Sequence, residues 1–173
     1  MDGPFFTAGE ADRGEGLEAL AEDGVPSPLA ASVDGASGIV ESGVFDTPDG
    51  GSSPAPIGPG QSYSFSVTAE AGQRLSFATM YVQSNDLFYA PSAAGIALFS
   101  GSDPLSGDVT AQLELWDAGT EVNEEPGVGL NQAPRQSGPD TGPTENGVVE
   151  IVDDGFSYGE VSDVVRVTVT PRN

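Results

Sequence analysis

Four acids stand close together in residues 117–125, DAGTEVNEE, and could bind a cation. Asp117 follows an alternating strand pattern, Glu121 comes four residues later, and Gly119 between them lets the loop curl so that both carboxylates converge. Calcium takes six to eight oxygen ligands, which such a loop can supply. The spacing is not that of an EF-hand, because the positions that need glycine and glutamate hold valines. Three interpretations stay open: a calcium site, a catalytic acid site, or a strongly solvated turn.

A second acid, Asp86, interrupts an otherwise apolar stretch, LSFATMYVQSNDLFYA at residues 75–90. An aspartate held between apolar segments is costly to bury unless a cation or hydrogen-bond donors meet it. The alternative is a local turn in which the Asp86 side chain bonds its own backbone.

The residue types that are missing exclude several kinds of catalysis. The chain has no cysteine, no histidine and no lysine. Disulfides, thiolate nucleophiles, Ser-His-Asp triads, cysteine- or histidine-based zinc sites and Schiff-base lysines are therefore impossible. Paired carboxylates can hydrolyse glycosides, but no pair is marked out by the sequence. We therefore predict no catalytic residue and a protein that is not an enzyme.

The net charge of the protein disfavours some classes of binding partner. Twenty-seven acids against five basic residues give a formal charge of −22 at pH 7. Nucleic acid and anionic membrane surfaces are disfavoured, because both require positive patches on the protein. No apolar run is long enough to span a membrane. We interpret the acidity mainly as a surface adaptation to high salt, typical of a halophilic protein, with a metal site embedded in it.

The elements that must position these acids are mostly short strands. Apolar runs recur between Gly/Pro clusters, a pattern typical of an all-β sandwich. In 74–82 the alternation of apolar residues shifts by one position partway along the segment. This shift predicts a bulge or burial on both faces. The predicted strands are 62–68, 74–82, 109–116 and 164–170, with weaker candidates at 38–45, 95–99 and 147–152.

Two short helices and two long loops complete the expected elements. Residues 14–23 carry a short apolar stripe and precede Gly24, which suits a left-handed helix stop. Ser27 as N-cap and Pro28 at the first helical position predict a second short helix. The Pro/Gly-rich stretches are predicted to be surface loops, at 47–60 and 126–147.

Two further side chains have predicted roles. Arg135 is the lone cation of the 126–147 loop, and we expect it to tie that loop to a carboxylate or to backbone carbonyls. Trp116 is expected in the core or at its rim rather than as a stacking platform for sugars.

Several long segments resemble the spondin-domain family, the amino-terminal module of F-spondin and mindin, and in particular its prokaryotic single-domain branch. The resemblance covers most of residues 5–171. It implies one domain over 1–173 with an antiparallel C2-like β-sandwich, one or two short helices, and a first family strand that precedes this sequence. The segments that carry it are GLEALAEDG (16–24), LSFATMYVQSNDLFYAP (75–91), GIALF (95–99), SGDVTAQLELWDAGTEVNEEPGVGLNQAPRQSGP (106–139) and VVRVTVTP (164–171).

The resemblance also implies a calcium ion at one end of the sandwich. Its ligands would be Asp86, Asp117 and Glu121. The chain departs from the family around Asp86, where Asn85 and Leu87 replace proline and tryptophan. Glu121 replaces an aspartate and is one methylene longer, so direct ligation through a longer side chain, or through water, is expected.

The expected function is an extracellular calcium-binding module for adhesion or recognition. Its partner would be a cell-surface or matrix protein or a glycan. The N-terminus MDGPFFTAGE has no basic segment or apolar core of a signal peptide. We therefore expect a secreted or cell-surface protein whose leader is absent from this sequence, although composition alone also allows a cytoplasmic one.

Two alternatives to that function stay open. A carbohydrate-binding surface domain would be favoured if Trp116 and Tyr89 lined an open groove, and disfavoured if both were buried. A structural domain with no ligand beyond calcium would present a smooth end surface.

Overall fold

The structure is a computed structural model that describes residues 2–172. The helices of the described chain are short: α1 (Leu17–Asp23), α2 (Ser27–Val33) and α3 (Val161–Val164), with a 3-10 turn at Thr110–Gln112. The strands are β1 (Arg74–Leu75), β2 (Thr79–Met80), β3 (Leu87–Pro91), β4 (Ile96–Ala97), β5 (Phe99–Ser100), β6 (Asp103–Pro104), β7 (Gly107–Asp108), β8 (Leu113–Asp117), β9 (Glu150–Ile151) and β10 (Thr168–Val169).

The strands form small antiparallel sheets around one four-stranded sheet, whose order is β2-β3-β8-β9. Its centre is the pair β3 and β8, which align from Leu87 opposite Asp117 to Pro91 opposite Leu113. The remaining sheets have two strands each and pair β1 with β4, β5 with β6, and β7 with β10. The prediction of an antiparallel, sandwich-like β fold with a few short helices is confirmed.

The four-stranded sheet is covered on both faces. On one face Phe88 and Trp116 pack against Phe6 and against apolar side chains of the first two helices. On the other face Leu87 and Tyr89 pack in a separate apolar cluster. Every residue of β3 is consequently buried. This two-sided burial places Trp116 in the core, one of the two positions predicted for it.

The helix predictions hold, with small shifts at the ends. The first helix begins at Leu17, three residues after its predicted start, and its apolar stripe is buried. Gly24 ends it in the left-handed conformation, and its N–H bonds back to the last turn. The second helix begins at Ser27 itself, so Pro26 rather than Ser27 is the N-cap. Shifts of one or two residues are usual at helix ends.

Two strand predictions are wrong. Residues 62–68 form no strand, and Phe65 is 47% exposed. Side-chain hydrogen bonds tie this segment to a loop, because the hydroxyls of Ser62 and Ser64 donate to Asp49 at 2.6 and 2.8 Å. Residues 38–45 also form no strand. Alternating apolar residues describe a strand only when a neighbouring strand lies within reach of the backbone.

The other predicted strands are real but shorter than predicted. The 164–170 segment alternates in burial as expected, yet only Thr168–Val169 pairs with a neighbour. The 109–116 segment starts with the 3-10 turn, so its strand begins at Leu113. The 74–82 segment divides into β1 and β2, in keeping with its out-of-phase step, and the 95–99 segment contributes to β4 and β5. The 147–152 segment keeps only β9.

The two long stretches, 47–60 and 126–147, contain no helix and no named strand, as predicted. Among the described residues, no helix combines the length and the hydropathy that crossing a bilayer requires.

Candidate metal centre

The central strand pair brings two of the predicted ligands to one end of the sheet. Asp86 immediately precedes β3, and Asp117 is the last residue of β8. Leu87 lies opposite Asp117 in the register, so the two acids reach the same edge. The N–H of Ala118 donates to the carbonyl of Asp86 at 3.2 Å and extends the pairing into the loop. Glu121 follows three residues further along that loop.

Asp86 is completely buried, and its two carboxylate oxygens differ in their hydrogen bonding. Its Oδ2 accepts the N–H and the hydroxyl of Thr120, both at 2.7 Å, and the N–H of Glu121 at 3.0 Å. Its Oδ1 is buried and has no hydrogen-bond partner. Burial raises the pKa of Asp86, although the hydrogen bonds oppose that rise. The donors come from a loop 34 residues away, so Asp86 is not held mainly by a turn of its own backbone.

Asp117 is buried where β8 ends and the same loop begins. Its Oδ1 accepts the N–H of Gly119 at 2.6 Å, and its Oδ2 accepts Nδ2 of Asn123 at 2.5 Å. Burial, followed by the nearby charge of Asp86, raises the pKa of Asp117 to about 7.

Glu121 is buried against the 126–147 loop. Its Oε1 accepts the N–H of Gly142 at 2.7 Å, and its Oε2 accepts a long hydrogen bond of 3.4 Å from Nδ2 of Asn85. The backbone of Glu121 also pairs with Thr144 in an isolated β-bridge. Burial raises the pKa of Glu121. Both oxygens of this side chain are therefore engaged by protein donors.

In the described part of the chain, no basic side chain forms an ion pair with these buried acids. The ion pairs within residues 2–172 are Arg13 with Glu15 and Arg166 with Asp108, and all four side chains are substantially exposed. The predicted ligands are thus brought to one end of the sheet, and no cationic partner meets them there. Their oxygens do not, however, form a group in which all three lie within 4.8 Å of one another in the described chain.

A second acidic group meets that distance and was not predicted. One carboxylate oxygen from each of Glu18, Glu22 and Asp140 lies within 4.8 Å of the others. Glu22 is only 1% exposed, and it accepts the N–H of Asp140 at 2.7 Å. Burial raises the pKa of Glu22 to about 7, with a further contribution from the charge of Glu121. Sequence reasoning did not predict this group, because Glu22 and Asp140 are 118 residues apart.

The first part of the 126–147 loop is fastened by hydrogen bonds to neutral acceptors. Gln132 is fully buried, accepts the N–H of Gly127 at 3.0 Å and donates to the carbonyl of Glu125 at 2.9 Å. Arg135 donates to the carbonyl of Gly129 at 2.6 Å and to the side-chain oxygens of Gln83 and Gln132. We call the Gln132 and Arg135 side chains the clamp. The prediction that Arg135 ties the loop to carbonyls is confirmed, and no carboxylate takes part.

Two aromatic residues that could have stacked on a sugar are buried. Trp116 is 5% exposed, donates to the carbonyl of Ala90 at 3.2 Å and packs on Phe6 with 4.8 Å between ring centroids. Tyr89 is likewise buried, on the opposite face of the sheet. Neither lines an open groove, which counts against a glycan platform built on these rings.

Replacing Gly119 with alanine should weaken the whole site loop. Gly119 has φ +70°, and an added Cβ would lie 2.6 Å from the Val148 nitrogen, too close for the backbone to accept. We expect a loss of about 2 kcal/mol or more in the free energy of unfolding, measured by urea denaturation. Gly127→Ala is the matched control: its φ is +80°, but its Cβ would touch only Gln83 Oε1 at 3.8 Å. Equal losses in both variants would show that the close approach at Gly119 is unimportant.

Comparisons of the chain with protein-family models, with curated proteins and with solved structures found no match. The class that the fold and the site define is therefore a β-rich, sandwich-like protein with uncompensated carboxylates buried at one end of its central sheet. The resemblance to the spondin family stays a prediction.

Proposed function

We propose that this protein is a non-catalytic, calcium-binding recognition module. The observation that carries the proposal is Oδ1 of Asp86, a buried carboxylate oxygen with no hydrogen-bond partner. An ionised carboxylate oxygen in that position is destabilising unless a cation meets it, and within residues 2–172 no basic side chain pairs with Asp86. Three donors fix the other oxygen of Asp86, so its free oxygen keeps one direction.

Calcium is the cation that suits the available donors. Carboxylate, carbonyl and amide oxygens surround the site, and the chain has no cysteine or histidine for a softer metal. Asp86 and Asp117 would be the main ligands. Glu121 would contribute an oxygen by exchanging one of its present hydrogen bonds. The ion would fasten the site loop to the sheet and reduce the repulsion among these acids.

The recognition surface of this proposal is the loop end beside the ion. A partner, whether a cell-surface or matrix protein or a glycan, would contact the loops 118–125 and 126–147 rather than an aromatic platform. The secreted or cell-surface location that we propose agrees with calcium binding, since extracellular modules bind calcium at 10⁻⁴ to 10⁻³ M. The spondin resemblance points the same way, but the proposal depends on Asp86.

Thermal unfolding with and without calcium tests the proposal. In high salt the melting temperature should be higher in millimolar calcium than in a chelator. An ion that binds only the folded state stabilises it by about 2.7 kcal/mol at a hundredfold excess over Kd. The isosteric change Asp86→Asn should abolish the rise. Magnesium at the same concentration is the ionic control.

A parallel variant, Glu22→Gln, separates the two acidic groups. If the calcium-dependent rise survives in Asp86→Asn and disappears in Glu22→Gln, the ion binds at Glu18, Glu22 and Asp140, and the proposed ligand set is wrong. If the wild-type protein shows no rise at all, and elemental analysis finds no metal, the proposal fails entirely.

A further inference from the structure

A second unpaired acceptor lies beside Asp117. Oδ1 of Asn123 is buried and has no hydrogen-bond partner. The other end of the same amide, Nδ2, donates to Oδ2 of Asp117 at 2.5 Å. Exchanging the two amide atoms would place an oxygen against the carboxylate of Asp117, which is repulsive. The short hydrogen bond therefore fixes which way the amide oxygen faces.

Unpaired buried acceptors are few in the described chain, and two of the four belong to this site. They are Asp86 Oδ1 and Asn123 Oδ1: Asp86 adjoins Leu87, which lies opposite Asp117, and Asn123 donates its amide N–H to Asp117. A protein interior normally supplies a donor to each buried acceptor. A single cation bound beside Asp117 would give both acceptors a partner.

We infer that Asn123 Oδ1 is a direct ligand of the bound cation and sets its preference for calcium over magnesium. This inference rests on the proposed function. Gly142 and Asn85 engage both oxygens of Glu121, and Gly119 and Asn123 engage both oxygens of Asp117. A cation at this site therefore needs a further oxygen ligand. Calcium accepts amide oxygens and six to eight ligands, whereas magnesium requires a compact octahedron and keeps several waters. An added neutral oxygen from a loop favours the larger ion.

The competing explanation is that Asn123 only positions Asp117 through their hydrogen bond. Calcium affinity by itself cannot separate these roles, because losing a residue that orients a ligand also lowers affinity by about 10- to 100-fold. The number of waters on the bound ion does separate them. A lost ligand is replaced by water, whereas a lost orienting hydrogen bond leaves the coordination number unchanged.

The experiment uses terbium, a luminescent substitute for calcium, on the full chain. Luminescence lifetimes in H₂O and D₂O count the waters on the ion, and calcium competition gives its affinity. Asn123→Leu should add about one water, weaken calcium binding about tenfold or more and reduce the preference over magnesium. Asn123→Asp keeps an oxygen and should retain the wild-type water count. Asn131→Leu is the matched control, because Asn131 contacts Glu124 through its backbone N–H.

The outcomes are distinct. A wild-type protein that binds neither terbium nor calcium overturns the proposed function. A wild-type protein that binds both, with an unchanged water count in Asn123→Leu, overturns only the ligand role of Asn123. If Asn123→Leu fails to fold cooperatively in the presence of a chelator, Asn123→Ala replaces it, and an unchanged water count in that variant also contradicts direct ligation.

Discussion

Replacing Phe88 with alanine is expected to lower the free energy of unfolding by about 3–5 kcal/mol, as large-to-small changes at buried phenylalanines do. Phe88 is completely buried in the middle of β3. Its ring meets that of Phe6 edge to face with 5.5 Å between centroids, and it lies opposite Trp116 in the ladder. The cavity left by its removal would open between the central sheet and the helical layer.

The matched control is Phe65→Ala, which removes the same atoms from a half-exposed loop position. Its ring stacks on Phe45 at 5.0 Å, so a loss of about 1 kcal/mol is expected. Urea denaturation measures both variants. Similar losses at the two positions would mean that residues 62–68 belong to the core after all, and that the loop assignment of this segment is wrong.

Glu22→Gln is expected to stabilise the chelator-treated protein at pH 8 by about 3 kcal/mol and to change little near pH 4. Burial raises the pKa of Glu22 from 4.5 to about 7. Between these values the folded state binds more protons than the unfolded state, so stability falls as the pH rises through this interval. Above pH 7 the loss is complete, and its size is about 3 kcal/mol from the difference in pKa. Glutamine cannot ionise, so Glu22→Gln removes this loss of stability.

The measurement is the free energy of unfolding from pH 4 to 8 in the presence of a chelator. Glu114→Gln serves as the control, because Glu114 is exposed on β8 and lacks a buried environment. Its pH profile should run parallel to that of the wild type. If Glu22→Gln loses stability at pH 8, the Glu22 carboxylate has a partner that offsets its burial, and the cause assigned to its raised pKa is wrong.

Local patterns predicted the parts of this fold that local chemistry decides. The apolar stripe of the first helix and its stop at Gly24 follow from helical periodicity and from glycine's access to positive φ. The strand pattern before Asp117 was also correct near its end. Residues 62–68 show the limit of such reasoning, because their alternation is as regular but no strand lies beside them.

Sequence reasoning predicted those parts of the candidate site in which a residue stands out from its immediate neighbours. Asp86 stood out because an acid inside an apolar run demands an explanation, and it is indeed buried. Glu22 lies within the predicted helix 14–23 and drew no prediction of its own, because its bond to the N–H of Asp140 joins residues 118 positions apart. Asn123 is an unremarkable loop residue in the sequence. Its importance arises from an amide oxygen that folding leaves without a donor.

The clamp gives the acidic end of the molecule a frame that ionic strength does not alter. Its cation, Arg135, bonds neutral carbonyl and amide oxygens. Dissolved salt screens exposed charges beyond about 10 Å at 0.1 M, yet it leaves hydrogen bonds to neutral acceptors nearly unchanged. Repulsion among the acids therefore varies with the medium while the loop that carries Gly129 keeps its shape. The later part of the same loop differs, because the N–H groups of Asp140 and Gly142 bond the carboxylates of Glu22 and Glu121 there.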